Sequence, residues 1–229
     1  MLDFDKINNS KMILNSKPDM HNFNDGATWR PYVSISHNNN KLGTATASVS
    51  LLVQCTCNNK LPCYKDCYAK RMEIFRPSIH NAWLNNYLVY KNNPQLFFDS
   101  VLTAMLQSLY FRFFVGGDIP DIDFLKLALD TAKRAPNCKV LMFTKKFWFI
   151  NQYLDGGGVI PDNVTIILSS WQNYKINNKY NLPIAYVINK DGDKIQNTYT
   201  CNGNCTFCQA SARGCWYLKT GDSVTFKKH

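Results

Sequence analysis

The amino-acid sequence predicts an α/β fold, arranged as a partial or complete β/α (TIM-like) barrel with parallel strands. Short, continuously apolar runs recur along the chain, helical patterns separate them, and the first run leads directly into a cysteine-rich loop. Runs that are apolar throughout are typical of parallel strands, because both faces of a parallel sheet are buried. Strands that alternate with helices favour a β/α barrel, with an open doubly wound sheet as the second choice.

The composition is that of a folded domain. Of the 229 residues, 45% are hydrophobic, 14% are aromatic and 18% are charged, fractions that exclude a disordered tail, a collagen-like fibre and a coiled coil. No apolar run approaches the roughly 20 residues needed to cross a bilayer, and the N-terminus lacks the apolar stretch of a signal peptide. We therefore expect a cytoplasmic protein that does not associate with membranes.

Three parts of the chain are expected to differ in structure. Residues 1–45 are polar and interrupted by prolines, so we expect an irregular segment that wraps around the core. Residues 46–200 carry the alternating strands and helices of the barrel-like core. Residues 201–229 are rich in cysteine and are expected to close over that core as a C-terminal loop.

The first half of the core predicts one strand followed by three helices. The β-branched, apolar run of residues 45–54 predicts the first buried strand. Residues 68–75 predict a helix that Pro77 ends, and a second helix covers residues 79–90. Asn93, followed by a proline, predicts the start of a third helix. That helix is amphipathic, because apolar residues recur at every fourth position: Phe97, Val101, Met105 and Leu109.

The second half of the core predicts four more strands, from the apolar runs at residues 111–115, 139–143, 164–168 and 184–188. Asp121 predicts the N-cap of a helix after the first of these runs, and residues 147–154 predict an aromatic helix that three glycines end. Parallel β/α folds bind their ligands beyond the carboxyl ends of the strands, so functional side chains are expected there.

Cysteine is the most informative residue type in the chain. Eight of the nine cysteines fall into two short clusters, and Cys138, which stands apart, is expected to be a small core residue. Because thiols stay reduced in the cytosol, closely spaced cysteines favour metal ligands over disulfides. The first cluster follows the first predicted strand, and the second, near the C-terminus, could fold back and join it. The predicted metal ligands are Cys57, Cys63, Cys67, Cys201, Cys205, Cys208 and Cys215.

The cysteine spacing favours an iron–sulfur cluster over zinc. Zinc sites are typically built from two Cys-x2-Cys pairs, whereas this chain has one, formed by Cys205 and Cys208. The irregular spacings and the neighbouring aromatic residues suit a shielded iron–sulfur cluster better, although thiolates bind both metals. A structural zinc ion and cysteines without any metal remain as alternatives.

Polar residues at the predicted carboxyl ends of strands are the candidates for catalysis. Asp118 could bind a substrate amine or orient a water molecule, and Lys145 could neutralise a substrate carboxylate or phosphate. Equally, Asp118 could cap the following helix and Lys145 could be a solvated charge. The sequence contains no Walker loop, nucleophile elbow or His-Glu-x-x-His motif.

The chain is strongly basic, with 26 Lys and Arg against 16 Asp and Glu and a formal net charge of +10. Such a charge attracts polyanions, so nucleic acid is a candidate partner. The basic residues are scattered rather than gathered in one helix or arm, which favours an ordinary solvated surface.

Several motifs, taken in their order along the chain, resemble the bacteriophage gene product 88 family. They are Asn40-Lys41-Leu42-Gly43, Ser50-Leu51-Leu52, Cys57…Cys63…Cys67-Tyr68-Ala69, Gly117-Asp118, Thr144-Lys145 and the final Cys215-Trp216. The resemblance spans roughly residues 38–217. It implies a virus-encoded iron–sulfur protein in the cytoplasm of the host, with a poorly defined reaction.

The order of motifs is also similar to that of radical S-adenosylmethionine (SAM) enzymes, which use a [4Fe-4S] cluster. Those enzymes place a three-cysteine loop after the first barrel strand and a Gly-Gly-Glu motif after the second. Here Gly116-Gly117-Asp118 follows the second predicted strand. The resemblance implies that these three residues, with Thr144 at the end of the next strand, hold SAM.

Three functions are therefore compatible with the sequence. The first is an iron–sulfur enzyme that uses either SAM or an open iron as a Lewis acid for hydrolysis. The second is a zinc-stapled protein that binds nucleic acid, and the third is a non-catalytic electron carrier. The small-molecule substrate, the oligomeric state and the number of metal centres stay open.

Overall fold

The computed structural model describes residues 30–227 apart from 172–173, 189–194 and 196–197. Most of the expected N-terminal wrapping segment therefore lies outside the described residues. The described chain is built on seven strands: β1 (Thr46–Val49), β2 (Tyr110–Phe113), β3 (Lys139–Thr144), β4 (Val164–Ser169), β5 (Ile184–Ile188), β6 (Tyr199–Thr200) and β7 (Ser223–Lys227).

All seven strands form one sheet, and every pairing between them is parallel. The strand order is β1-β2-β3-β4-β5-β7-β6, so β1 and β6 are the two edges. Within the described residues no pairing joins these edges, and the sheet is open. The predicted α/β fold with parallel strands is confirmed, in the form of a partial barrel.

Seven helices accompany the sheet: α1 (Val53–Thr56), α2 (Tyr68–Phe75), α3 (Pro77–Asn92), α4 (Pro94–Leu106), α5 (Ile122–Lys133), α6 (Phe147–Asp155) and α7 (Cys205–Ala210). Both predicted N-caps are confirmed. The side chain of Asn93 accepts a hydrogen bond from the backbone N–H of Leu96, and that of Asp121 accepts one from Phe124. None of the helices in the described part of the chain is long and apolar enough to cross a membrane.

Helices α3 to α6 all pack against the same face of the sheet. Phe111, Phe113 and Met142 point to this face and belong to one buried cluster with Phe97 of α4 and Phe124 of α5. A doubly wound sheet would carry crossover helices on both faces. The observed layering is instead that of a β/α barrel whose sheet is open between β1 and β6.

The opposite face, here called the inner face, is covered by the C-terminal part of the chain. Cys208 and Trp216 pack there against Leu141, Ile167 and Val224. The region of residues 201–227 also adds β7 to the sheet, between β5 and β6. The C-terminal cysteines are thereby brought to the interior of the partial barrel.

Residues 30–45 run as an irregular strap beside β1. Ser36 forms an antiparallel bridge with Ser48 at the edge of the sheet. The side chain of Asn86 in α3 accepts a hydrogen bond from the backbone N–H of Ser34 at 2.7 Å and donates to the carbonyls of Ser34 and Ser50. A buried amide thus joins the strap, α3 and the end of β1.

Candidate functional site

A cavity of about 630 Å³ extends from the inner face of the sheet to the carboxyl ends of β1 to β4. Its size is in the range of pockets that bind small organic molecules. All the site residues predicted from the sequence line it: Gly116, Gly117, Asp118, Thr144, Lys145, Cys57, Cys63, Cys67, Cys201, Cys205, Cys208 and Cys215. Cys55 instead packs beside Leu52 and Leu84, and Cys138 is buried in the main core.

Cys57, Cys63 and Cys67, here called the first thiol group, lie in the loop after β1. Cys57 ends α1, Cys63 sits in a 3₁₀ turn (Pro62–Tyr64), and Cys67 is the residue before α2. Burial raises the pKa of the Cys57 and Cys63 thiols. The ammonium groups of Lys146 and Lys145 act in the opposite direction on the pKa of Cys57 and Cys63, respectively. The Asp118 carboxylate also raises the pKa of both thiols, so the two ammonium groups only partly offset the effects that disfavour thiolate, the form that binds metal.

The start of this loop is held by Glu73, the only glutamate in the sequence. Its carboxylate accepts a hydrogen bond from the backbone N–H of Val53, the first residue of α1. Thr56, at the end of α1, donates its hydroxyl to the carbonyl of Leu52 at 2.8 Å and accepts the backbone N–H of Asp118 at 3.1 Å. The loop after β1 is thus fastened to the loop after β2.

Gly116 and Gly117 allow a close approach between these two loops. Gly117 has a φ of +87°, and a Cβ atom there would lie 2.5 Å from the carbonyl oxygen of Leu51. A Cβ atom on Gly116 would run into the ring of Trp83. The hydroxyl of Ser50 accepts the backbone N–H groups of Val115 and Gly116, both at 3.1 Å. The glycine pair therefore serves the packing of the cavity wall.

Asp118 braces the ends of β2 and β3. Its carboxylate accepts hydrogen bonds from the hydroxyl of Thr144 at 2.6 Å, from the backbone N–H of Lys145 at 3.0 Å and from that of Ile119 at 2.8 Å. The alternative role considered for it, capping the next helix, belongs to Asp121. Asp118 is only 5% exposed, so its first role is to position the cavity wall.

The two lysines after β3 differ in their surroundings. The ammonium of Lys145 lies 5.8 Å from the ring centre of Trp171 in the cavity wall. Lys146 is buried, and burial lowers its pKa while Asp118 and Cys57 oppose that shift. Sequence reasoning missed Lys146, since a second consecutive lysine after a strand normally indicates solvent exposure.

Cys201, Cys205, Cys208 and Cys215, here called the second thiol group, lie on the inner face. Cys205 and Cys208 share one turn of α7, and Cys215 lies in a second 3₁₀ turn (Gly214–Tyr217). Burial and the neighbouring thiols raise the pKa of Cys215 to about 12, and the Arg112 guanidinium acts to lower it. Gly214 has a φ of +68°, and a Cβ atom there would lie 2.8 Å from Cys208 Sγ.

The two thiol groups share one cavity but remain separate. Within each group, neighbouring thiols raise the pKa of the buried cysteines, as Cys67 does for Cys57 and Cys63, and Cys201 does for Cys205 and Cys215. In the same part of the chain, no three His, Cys, Asp or Glu side chains have the geometry of a preformed metal site. The structure thus brings both predicted clusters to one place without merging them.

Arg112 is the second residue that sequence reasoning missed. It lies on β2, its side chain faces the cavity, and its guanidinium carbon is 5.1 Å from the ring centre of Phe143. Its Nε atom is buried without a hydrogen-bond partner. The signal in the sequence was a single charged residue inside an apolar strand, which marks a side chain facing a polar or charged site.

Comparison with known proteins places this chain in a family. No curated protein and no solved structure matches the chain. A family model described as gene product 88 matches residues 32–199, which include the first thiol group, Gly116-Gly117-Asp118 and Lys145 but end before Cys201. Because the match covers well over half of the 229 residues, the chain belongs to the gene product 88 family.

Proposed function

We propose that this protein is a virus-encoded iron–sulfur enzyme in which Cys57, Cys63 and Cys67 hold a [4Fe-4S] cluster and SAM is the second cofactor. The observation that carries the proposal is the placement of three thiols, rather than four, where the loop after β1 meets the cavity. A [4Fe-4S] cluster with three cysteine ligands would supply an iron with an open coordination position, which can donate an electron to bound SAM.

The residues present fit such a group by their chemistry. Thiolates are the standard ligands of iron–sulfur clusters, and Lys145 and Lys146 supply positive charge beside them. Gly116 and Gly117 line the same cavity as the first thiol group. The volume of about 630 Å³ is sufficient for a ligand the size of SAM.

In this proposal the chain's own polar residues position the ligand. Asp118 keeps the end of β3 in place through Thr144 and the backbone of Lys145, so we assign it a positioning role. Lys145 lies in the cavity wall, where its ammonium can neutralise a carboxylate or phosphate of the substrate.

The cavity favours SAM chemistry over hydrolysis by an open iron acting as a Lewis acid. Apolar side chains, among them Leu141, Phe143 and Val187, form much of the wall on the inner face. An apolar wall excludes water and protects reactive intermediates, whereas hydrolysis needs water at the reacting atom. Hydrolytic activity without SAM would therefore refute the SAM assignment and favour the open iron acting as a Lewis acid.

The test is metal analysis and spectroscopy of protein purified without oxygen. We expect a brown protein that contains iron and sulfide, and whose reduced cluster changes its EPR spectrum when SAM is added. Cys57→Ala, Cys63→Ala and Cys67→Ala should each abolish that change, and Cys138→Ala, in the core away from the cavity, is the matched control. A reduced cluster whose spectrum is insensitive to SAM would refute the SAM assignment, and wild-type protein with zinc but no sulfide would refute the cluster.

A further inference from the structure

We propose that the second thiol group forms its own metal centre with four thiolate ligands, and that this centre fastens the C-terminal segment to the inner face of the sheet. The proposal goes beyond the function above and does not depend on it. Its ligands lie outside the residues that the gene product 88 family model matches. They are Cys201, Cys205, Cys208 and Cys215.

The fold brings these four cysteines, from three pieces of backbone, to one region of the inner face. Cys201 follows β6, Cys205 and Cys208 share a turn of α7, and Cys215 lies in the 3₁₀ turn beyond it. Gly214 permits the last approach, because any side chain there would collide with Cys208 Sγ. Four neighbouring thiols without a disulfide are a typical ligand set for a thiophilic metal.

Hydrogen-bonding groups contact two of the four sulfur atoms. The backbone N–H of Gly203 donates to Cys201 Sγ at 3.3 Å, and the hydroxyl of Tyr199 lies 3.3 Å from Cys208 Sγ. Two more donors that line the same cavity, Arg112 Nε and Trp216 Nε1, are buried and have no hydrogen-bond partner among the described residues, and Trp216 is only 3% exposed. Buried donors are costly when they have no acceptor, and neutral thiols accept hydrogen bonds poorly. Metal-bound thiolates would accept from these donors.

The charge balance leads to the same conclusion. Arg112 lines the same cavity as the four cysteines, and no ion pair of the described residues involves it. A zinc ion with four thiolates and an oxidised [4Fe-4S] cluster with four thiolates both carry two negative charges. Either centre would therefore provide the counter-charge that Arg112 lacks, and the two centres share this chemistry.

The role of the centre follows from what the segment touches. The backbone N–H of Cys205 donates to the carbonyl of Lys41, and the side chain of Gln209 donates to Leu42 and Thr46. Metal binding would require the four thiols to move closer together, since the described residues hold no preformed metal site. The metal centre would link these contacts to β6 on one side and to the turn that carries Trp216 on the other. A four-ligand centre leaves no open position, so it stabilises the fold and does not bind substrate.

The test is to count the metal centres separately in the full-length chain, purified without oxygen. The triple variant C57A/C63A/C67A should retain one metal centre, and the double variant C205A/C208A should lose that centre. Zinc without sulfide identifies a zinc centre, whereas iron with sulfide identifies a cluster, and either result supports the proposal. A folded triple variant without metal, or a double variant with the metal content of the wild type, would overturn it.

Chemical labelling of the wild-type chain keeps the proposal testable if a variant does not fold. The four cysteines should resist alkylation in the metal-loaded protein and react once a chelator has removed the metal, with buried Cys138 as the internal reference. Equal labelling in both states would overturn the proposal. Arg112→Gln should weaken metal retention by roughly 10- to 100-fold, as loss of an outer partner of metal ligands does, and unchanged retention would refute the role of Arg112.

Discussion

Glu73 should make the stability of the fold depend on pH in the direction opposite to that of a paired surface carboxylate. The residue is 2% exposed, one carboxylate oxygen accepts the N–H of Val53, and the other has no hydrogen-bond partner in the part of the chain that the structure describes. Burial raises its pKa from 4.5 to about 7, and the backbone N–H groups of Val53 and Gln54 oppose the shift only in part. We therefore chose Glu73→Gln, which keeps the acceptor for Val53 and removes the titration.

The sign follows from where the proton binds. Because the pKa is higher in the folded chain, the folded state holds the proton more tightly, and the free energy of unfolding falls as the pH rises from 4.5 to about 7. At about 1.4 kcal/mol for each pH unit, the loss is roughly 3 kcal/mol. Glu73→Gln should thus match the wild type near pH 4.5 and exceed it by up to about 3 kcal/mol at pH 8.

The assay is urea unfolding of the reduced, metal-free chain at a series of pH values. Asp130→Asn, which changes an exposed carboxylate in α5, is the matched control and should show no such pH-dependent difference. If the gap between Glu73→Gln and the wild type were the same at pH 5 and pH 8, the carboxyl would not be titrating in the folded protein and the reasoning would fail. A variant less stable than the wild type at pH 8 would show that the charge itself stabilises α1.

Three further predictions concern the cavity wall and the surface. Asp118→Ala should lower the free energy of unfolding by about 1 to 3 kcal/mol, because the Thr144 hydroxyl and two backbone N–H groups lose their acceptor. Urea unfolding measures this change. If the variant lost activity while its urea unfolding stayed the same, Asp118 would be a reacting group instead. Gly117→Ala should be more destabilising than Gly157→Ala, by at least about 1 kcal/mol. The two glycines have φ values of +87° and +82°, and only Gly117 has atoms within 4 Å of an added Cβ, so equal midpoints in urea would refute the close-approach argument. The net charge of +10 should give weak DNA binding that falls at least tenfold between about 50 and 200 mM salt, and binding that survives the higher salt would indicate a dedicated nucleic-acid site.

Local signals explain how much of the fold could be predicted from the sequence. The strands β2 to β5 are apolar runs, and Asn93 and Asp121 carry their capping function within three residues of sequence. The strands β6 and β7 were not predicted, since β6 has two residues and β7 alternates polar and apolar side chains. Their order in the sheet depends on pairing between distant segments, which no local pattern encodes.

The site shows the same division. The sequence located the cysteines, the glycine pair and Asp118 at strand ends, because spacing and strand position are visible in a sequence. The sequence did not predict the residues that surround them. Lys146, Arg112 and Glu73 belong to the site because of their burial or their position on a strand, and neither is visible in a sequence. A lone glutamate in a helix with two basic residues nearby resembles a surface residue until the loop before α1 is folded over it.

The separation of the two thiol groups supports two different roles within one cavity, chemistry for the first group and stabilisation of the fold for the second. Each group has its own cations: Lys145 and Lys146 act on the first, whereas Arg112 acts on the second. Cations beside both thiol groups are needed only if both groups carry negative charge. The three-thiol group lies at the carboxyl edge, where β/α folds carry out chemistry, and the four-thiol group lies against the inner face, where the proposed metal centre would fasten the C-terminal segment. A single shared cluster would need one set of cations near both groups, whereas each group here has cations of its own.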